Sequence, residues 1–480
     1  MQVDPFDPSS GLTSALSVFV ASTPWEAIPE KVRHEAKRSL VNYFATALAG
    51  SADPTIVKAT GVYGRFRSAG AAGSAAHLIG KSERTDMLNA AALNAMSANV
   101  HDFDDTHLPT IIHPTAPVAA ALFALAEGVG EASGNVALLQ EMDKRGGATI
   151  SGERWLHAFV LGVEIECRLG LALTGHYQRG WHITSTCGVF GAAVAASVVL
   201  GLDAQQIGWA LGNASAQAGG LVETLGTMSK SISVGNAARN GLLSAFLAAE
   251  DFSGPAAPIE GPRGFLRVTS DNPDFSALTK GLGETWALQS NTYKPYPCGV
   301  VLNPVIEACL HLTKGADWSV NDIERVELTG NSLLRERTDR PNVATGRTSQ
   351  VSAQHSVAVA LSRGRAGLAE FSDIAVADAS LREIGRKVVF IDDDRYAVEA
   401  VDVALLLRSG RRVTHRVDAA IGSLAKPLDD QTLSAKLLSC ADYADAQCNT
   451  RALLESVWQF DSQQDSAAPM RLAAASFSTQ

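Results

Sequence analysis

The sequence predicts a mainly α protein with an α/β part: a large helical unit, an α/β insertion from roughly 289 to 422, and a helical return. Three observations carry this. Apolar residues recur at three- and four-residue spacing through most of the first 250 residues, with long alanine-rich runs. Residues 251–274, DFSGPAAPIEGPRGFLRVTSDNPD, are dense in Pro and Gly and read as a connection between units. Beyond them β-patterned segments alternate with helical ones, and 430–460 returns to helix. At 480 residues the chain exceeds one ordinary core, so two large units are expected.

In chain order, a first helix is expected from Pro29 to Ala49, with Gly50 as its stop. Val32, Ala36, Leu40, Tyr43 and Ala47 give it one buried face. A short extended piece, Ala76–Ile79, precedes a helix starting near Asp86. The nearby AAHLIGKS is not a phosphate loop, because Ala75 stands where that motif needs Gly. Pro114 suits a first helical turn, and Val118 to Glu127 continues as helix. Residues 130–149 are polar and Gly-rich, a surface excursion. Ser151 caps a helix with Trp155, Phe159, Val163 and Cys167 on one side. From Thr174 a polar loop enters an alanine- and valine-rich helix whose small side chains suit the centre of a bundle. Helices near Asp203–Ala218 and Val234–Glu250 follow, joined by the polar loop TLGTMSKSIS. Expected strands are Arg325–Leu328, Lys387–Ile391, and a hairpin of Ala400–Leu407 and Arg412–Val417 turning at Ser409-Gly410. Helical pattern lies around Val300–Leu312 and Ser352–Leu361. The last twenty residues read as weakly ordered.

The chemistry concentrates in VHDFDDTHLPTIIHPTAP, Val100 to Pro117, which holds Asp102, Asp104, Asp105, His101, His107, His113 and Thr106. A charged, proton-active loop between buried helices is costly unless something uses or neutralises it. A His–Asp cluster first suggests a metal. However, none of the six cysteines forms a C-x-x-C pair, which removes zinc-ribbon and iron–sulfur patterns. Scattered thiols suggest a reducing, cytoplasmic setting. The N-terminus lacks the basic and apolar run of a signal peptide. The longest strongly apolar run, Val189 to Leu202, falls short of the ~18 residues of a membrane span. A soluble protein with no membrane partner is expected. A net charge of −10 argues against nucleic acid but not against an anionic substrate, which needs only local cations.

DFDDTH, GWH before a small-residue helix, TMSK…AARNG, EGPRGF and KPYPCG occur in this order. Together they resemble the MmgE/PrpD family, which includes 2-methylcitrate dehydratases, cis-aconitate decarboxylases and iminodisuccinate epimerase. The resemblance runs from about Val32 to Phe460. It implies a large all-helical domain built from both chain ends (1–288 and 423–480) and a smaller α/β lid domain (289–422). It also implies a homodimer, no metal or other cofactor, and an active site in the cleft between the domains.

By the same resemblance, Asp102 and Thr106 match the DFDDT motif, His113 its following His-Pro, His182 the His of GWH, Lys230 the Lys of MSK, and Lys294 the Lys opening the lid. One position departs. Several members carry a Tyr about nine residues before a Gly that ends a lid helix, and counting back from Gly364 places His355 there. Histidine can also donate a proton or bind a carboxylate. Taken alone, His182 would pass for a buried structural histidine and Lys230 for a surface lysine; the motif context reverses both. Asp104 and Asp105 read as braces, His101 and His107 as supports, and Cys298 as inert for want of a base partner.

Neither a dinucleotide fingerprint nor a nucleophile elbow is present, which leaves proton chemistry beside carboxylates. The expectation is a cofactor-independent lyase acting on a small di- or tricarboxylate, first a 2-methylcitrate dehydratase. Its alternatives are a cis-aconitate-type decarboxylase or an epimerase at a carbon alpha to a carboxylate. Outside the enzymes, a non-catalytic carboxylate-binding protein would share the same residues. Asp102, His113, His182 and Lys230 are the catalytic candidates; Thr106, Lys294 and His355 the substrate-binding ones.

Overall fold

A computed structural model of the chain describes residues 11–66, 76–131 and 149–475. The excursion expected at 130–149 lies almost wholly outside these residues. The chain forms two compact units. The helical unit takes the chain up to Val100, Asp104–Asn291 and everything from Leu433; the α/β unit takes His101–Phe103 and Thr292–Thr432. The sequence reading closed the α/β part at 422. The segment beyond stays with it because Lys426 pairs with Glu307 and the Ile421 N–H donates to Glu307 at 2.6 Å.

The helical unit is built from α1 (Leu12–Ser22), α2 (Glu30–Ser51), α3 (Pro54–Gly64), α4 (Met87–Asn99), α5 (Thr115–Glu131), α6 (Gly152–Ala172), α7 (Ile183–Leu200), α8 (Ala204–Ser215) and α9 (Ser229–Ala249). Their starts follow ordinary capping chemistry. Asp86 accepts from the Asn89 N–H, Ser151 from the Arg154 N–H, and Asp203 forms a reciprocal box with Gln206. The sequence reading passed over α1 and α3. It also stopped α2 at Gly50, whereas the helix continues to Ser51 and Gly50 serves packing: a Cβ there would stand 2.0 Å from the Ser97 carbonyl oxygen on α4.

α7 is apolar on every side and sits at the centre, packed by α5, α6, α8 and α9. At 18 residues it is long and apolar enough to cross a membrane, which corrects the expectation that no run reached that length. Nearly all of it is buried inside the unit. An aromatic cluster of Tyr43, Phe44, Phe123, Trp155 and Phe159 fills the space beside α2, α5 and α6, and Phe460 from the returning chain closes it, 5.2 Å from Trp155.

The segment from Asp461, read as weakly ordered, is tied down as far as it is described, to Ala475. The Ser466 N–H donates to Ile150 O at 2.8 Å, the Gly80 N–H to Ala473 O at 2.8 Å, and the Ala475 N–H to Lys81 O at 3.1 Å. Met470 and Ala473, on a short helix, are fully buried.

In the α/β unit, α10 (Asn303–Thr313) and α11 (Ala353–Arg363) pack with a four-stranded sheet of β1 (Ile323–Gly330), β2 (Val388–Asp392), β3 (Val401–Leu407) and β4 (Arg412–Val417). Strand order is β2-β1-β3-β4. β1 and β2 are parallel with Val326 opposite Val388; the other pairs are antiparallel, with Val326 opposite Leu405 and Leu405 opposite Val413. The β3–β4 hairpin turns at Ser409-Gly410 as expected, Gly410 adopting φ +81°. Val305, Ile306 and Cys309 of α10, Val357 and Leu361 of α11, and Val403 and Leu405 of β3 share one core.

Candidate active site

In the helical unit, the chain from Asp104 to Thr115 folds into a buried loop ahead of α5. The His107 N–H bonds Ile112 O at 2.8 Å, and Ile111 takes φ +61° to close the turn. His107 Nδ1 meets Thr110 Oγ1 at 2.8 Å, and burial pushes the His107 imidazole down to about 4, so it stays neutral. Asn99 Nδ2 donates to Asp104 Oδ2 at 2.6 Å.

His113 is fixed from three directions. Its Nδ1 lies 2.6 Å from the Asp105 carbonyl oxygen and 3.2 Å from Thr106 Oγ1, and Asp104 Oδ1 stands 3.7 Å away. A carbonyl only accepts, so Nδ1 carries a proton and the neutral ring keeps its lone pair on Nε2. The His113 N–H donates to Thr184 Oγ1 at 3.1 Å, in the first turn of α7.

His182 is the residue immediately before that turn. Its N–H donates to Gly220 O at 3.0 Å, and its Nδ1 lies 3.3 Å from Ser185 Oγ and 3.5 Å from Ser233 Oγ. Ser233 Oγ donates in turn to the Lys230 carbonyl at 2.9 Å. Lys230 was expected in a loop before a helix starting near Val234; it sits instead in the first turn of α9, buried. Thr106, His113, His182 and the start of α9 thus gather around the entry to α7.

In the α/β unit, Lys294 is 3 % exposed, and its Nζ lies 2.9 Å from the Asp102 carbonyl oxygen and 3.4 Å from Asp102 Oδ1. Asp102 adopts φ +52°, a left-handed conformation uncommon outside glycine. Gln350 Nε2 donates to His101 O at 2.6 Å. His355 is buried at the start of α11, where its Nε2 donates to Glu370 O at 2.7 Å and its ring tilts against Phe371. Burial and the facing Arg363 charge lower its pKa against that hydrogen bond. Gly364 ends α11 with φ +61°, as the count that led to His355 assumed. Cys298 is fully buried and its thiol pushed well up by desolvation, in keeping with an inert role.

Asp105 braces the loop, as the sequence reading had it. Its Oδ2 accepts from Thr115 Oγ1 at 2.5 Å and from Asn291 Nδ2 at 2.8 Å, while burial raises its carboxyl to about 7. Sequence reasoning missed Asn291, and missed Glu166, a fully buried acid on α6. The available signal for Glu166 was an acid on the apolar side of a helix. Arg168, two positions further along α6, pairs with Glu164 at 2.6 Å.

Two family models match: the MmgE/PrpD N-terminal domain over residues 14–278 and the MmgE/PrpD C-terminal domain over residues 296–460. The chain is 25 % identical to a cis-aconitate decarboxylase of Aspergillus terreus, over 94 % of each chain. It is also 25 % identical to the cis-aconitate decarboxylase of Mus musculus, over 80 % of this chain and 78 % of that one. With the Homo sapiens enzyme of the same name it shares 26 % identity over 72 % of this chain and 71 % of that one. The first match brings in α1, which the motif resemblance had left out. Both halves of the chain are matched in order, and the protein belongs to the MmgE/PrpD family, as a lyase of that family.

Proposed function

We propose that this lyase decarboxylates a cis-aconitate-like tricarboxylate without a cofactor. The similarity to decarboxylases over nearly the whole chain moves this reading ahead of the 2-methylcitrate dehydration that the motifs first favoured. The observation that carries it is the bond from His113 to Thr184, which sets one imidazole beside the α7 entry that His182 begins.

The reaction needs three things: cations for the substrate carboxylates, stabilisation of the electron pair left by departing CO₂, and a proton donor to carbon. Breaking the C–CO₂ bond at the methylene arm sends its electrons into a new terminal double bond. The old double bond's electrons move onto the carbon beside the remaining carboxylate, and a proton completes a methylene-substituted dicarboxylate. Lys230 and Lys294 bind carboxylates, with Lys294 exchanging an Asp102 contact for substrate. Asp102, Thr106 and His113 hold and polarise the substrate. The partial positive charge at the start of α7 favours the negative charge that develops. His182 delivers the proton.

The test is ¹H NMR of purified protein in D₂O with cis-aconitate, methylcitrate and iminodisuccinate in separate reactions. Loss of CO₂ with a single deuterium in the product's saturated methylene supports the reading. Conversion of methylcitrate alone restores dehydration, exchange without net loss indicates epimerisation, and binding with no deuterium uptake indicates a non-catalytic protein.

A further inference from the structure

The buried acid beneath the site loop has no role in the chemistry above. Both carboxyl oxygens of Glu166 are buried and have no hydrogen-bond partner among the described residues. Gly188 and Gly191 of α7 leave just enough room for it; a Cβ on Gly191 would stand 2.5 Å from Glu166 Oε2. An ionised carboxylate with no donor in such surroundings is very costly, so Glu166 keeps its proton, and burial together with the Asp105 charge raises its pKa well above the ordinary value. Asp105 is equally buried but receives two donors, Thr115 and Asn291. Two neighbouring acids with unequal donor sets divide the work: one holds the proton, the other the charge.

That charge is mechanically connected. Thr115 opens α5, and Asn291 is tied also to Ser39 of α2 at 3.2 Å. The Asp105 carbonyl, one residue's backbone away from the clamped carboxylate, is the acceptor that fixes the His113 ring. The titratable groups facing Asp105 are Asp104 on its own loop, Glu166 and Cys167 on α6, and His113 across the turn.

We propose that Asp105 is a positioning residue for His113: its ionised carboxylate, clamped by Thr115 and Asn291 while Glu166 beside it stays protonated, holds the loop so that the Asp105 carbonyl fixes the imidazole. The proposal rests on the role given to His113 above. It predicts an acid limb in the kcat profile that belongs to Asp105 rather than to an imidazole.

The decisive comparison uses Asp105→Asn, Thr115→Val and Glu166→Gln in the full chain, with cis-aconitate as substrate. Asp105→Asn should lower kcat roughly tenfold to hundredfold with KM little changed, and abolish the acid limb. Thr115→Val removes a donor from the ionised form, so the limb should move to higher pH. Glu166→Gln keeps a neutral isostere and should leave kcat within about threefold of wild type; a large loss there would mean an ionised, working Glu166 and would overturn the division of charge.

Two readouts do not need activity. Side-chain ¹⁵N NMR should report His113 as the Nδ1–H tautomer in wild type and a mixed or mobile ring in Asp105→Asn. Melting should also respond. A carboxyl raised above its unfolded value weakens stability as pH rises from about 4 to about 7. The variant lacks this loss and should gain on wild type as pH rises from about 4 to about 7, with no further gain above that. An unshifted limb, an unchanged ring and a pH-independent melting difference would sink the proposal. Wild-type inactivity on every substrate would instead sink the functional reading, leaving NMR and melting to decide this one.

Discussion

His182 stands where a helix-capping residue would stand, yet its side chain makes no cap bond. The ring is bracketed by two serine hydroxyls at 3.3 and 3.5 Å, distances at the weak end for hydrogen bonds. Neither contact is a helix cap, so replacing the ring leaves the backbone start of α7 in place and tests the chemistry. His182→Ala should lower kcat by roughly 10²-fold or more while the far-UV melt stays close to wild type. Near-wild-type turnover would remove it from the mechanism. The sequence could propose Asp102, Thr106, His113, His182, Lys230 and Lys294 because each stands in a short string that resembles a family motif. Asp105 was read as a brace, but its partner Asn291, 186 positions away, could not be read from the sequence. Glu166 was passed over for a different reason: no motif carries it. Burial and the lack of a donor are properties of the fold, and only the apolar pattern of its helix hinted at them.

At the level of elements, the bundle is assembled through glycines that replace side chains by backbone contact. A Cβ on Gly241 of α9 would stand 2.5 Å from the Ala192 Cβ and 2.6 Å from the Val189 carbonyl oxygen, both on α7. Neither neighbour is the free end of a flexible side chain, so the helices must part. Gly241→Ala should cost about 1–3 kcal/mol, read as a lower denaturation midpoint at unchanged slope. An unchanged midpoint would show that the α7–α9 seam is looser than its geometry implies. The sequence announced that α7 was central through its small residues. It could not say which glycines bear contacts, and it misread Gly50 as a helix stop. A glycine that ends a helix and one that lets two helices touch are identical in composition, and only Gly364 and its like take positive φ.

For the molecule as a whole, the alternation of helical and β-patterned segments correctly gave a helical unit and an α/β unit with its own sheet. The hairpin turn at Ser409-Gly410 was read to the residue because its chemistry is local. What escaped was long-range closure. The segment from Asp461 was read as weakly ordered, yet as far as Ala475 it completes the helical unit with Met470, Ala473 and backbone bonds to Ile150, Gly80 and Lys81. Cutting the chain after Ser462 should lower stability by roughly 2–3 kcal/mol from Met470 burial alone. A truncated protein that melts with the full chain would show that this closure is dispensable.

The fully apolar α7 has a consequence for biosynthesis. By length and composition alone, Ile183–Leu200 is long and apolar enough to cross a membrane, so it needs covering as soon as it is made. α6 is made before it and can pair at once through the Gly162–Gly191 approach, where backbone and Ala195 lie within 3 Å of a would-be Cβ. α9, however, is completed only at Ala249. During the synthesis of some fifty intervening residues, one side of the helix lacks its final cover. The consequence is one of order: α7 can pair with α6 as soon as both are made, while the side that α9 covers waits until Ala249 is added.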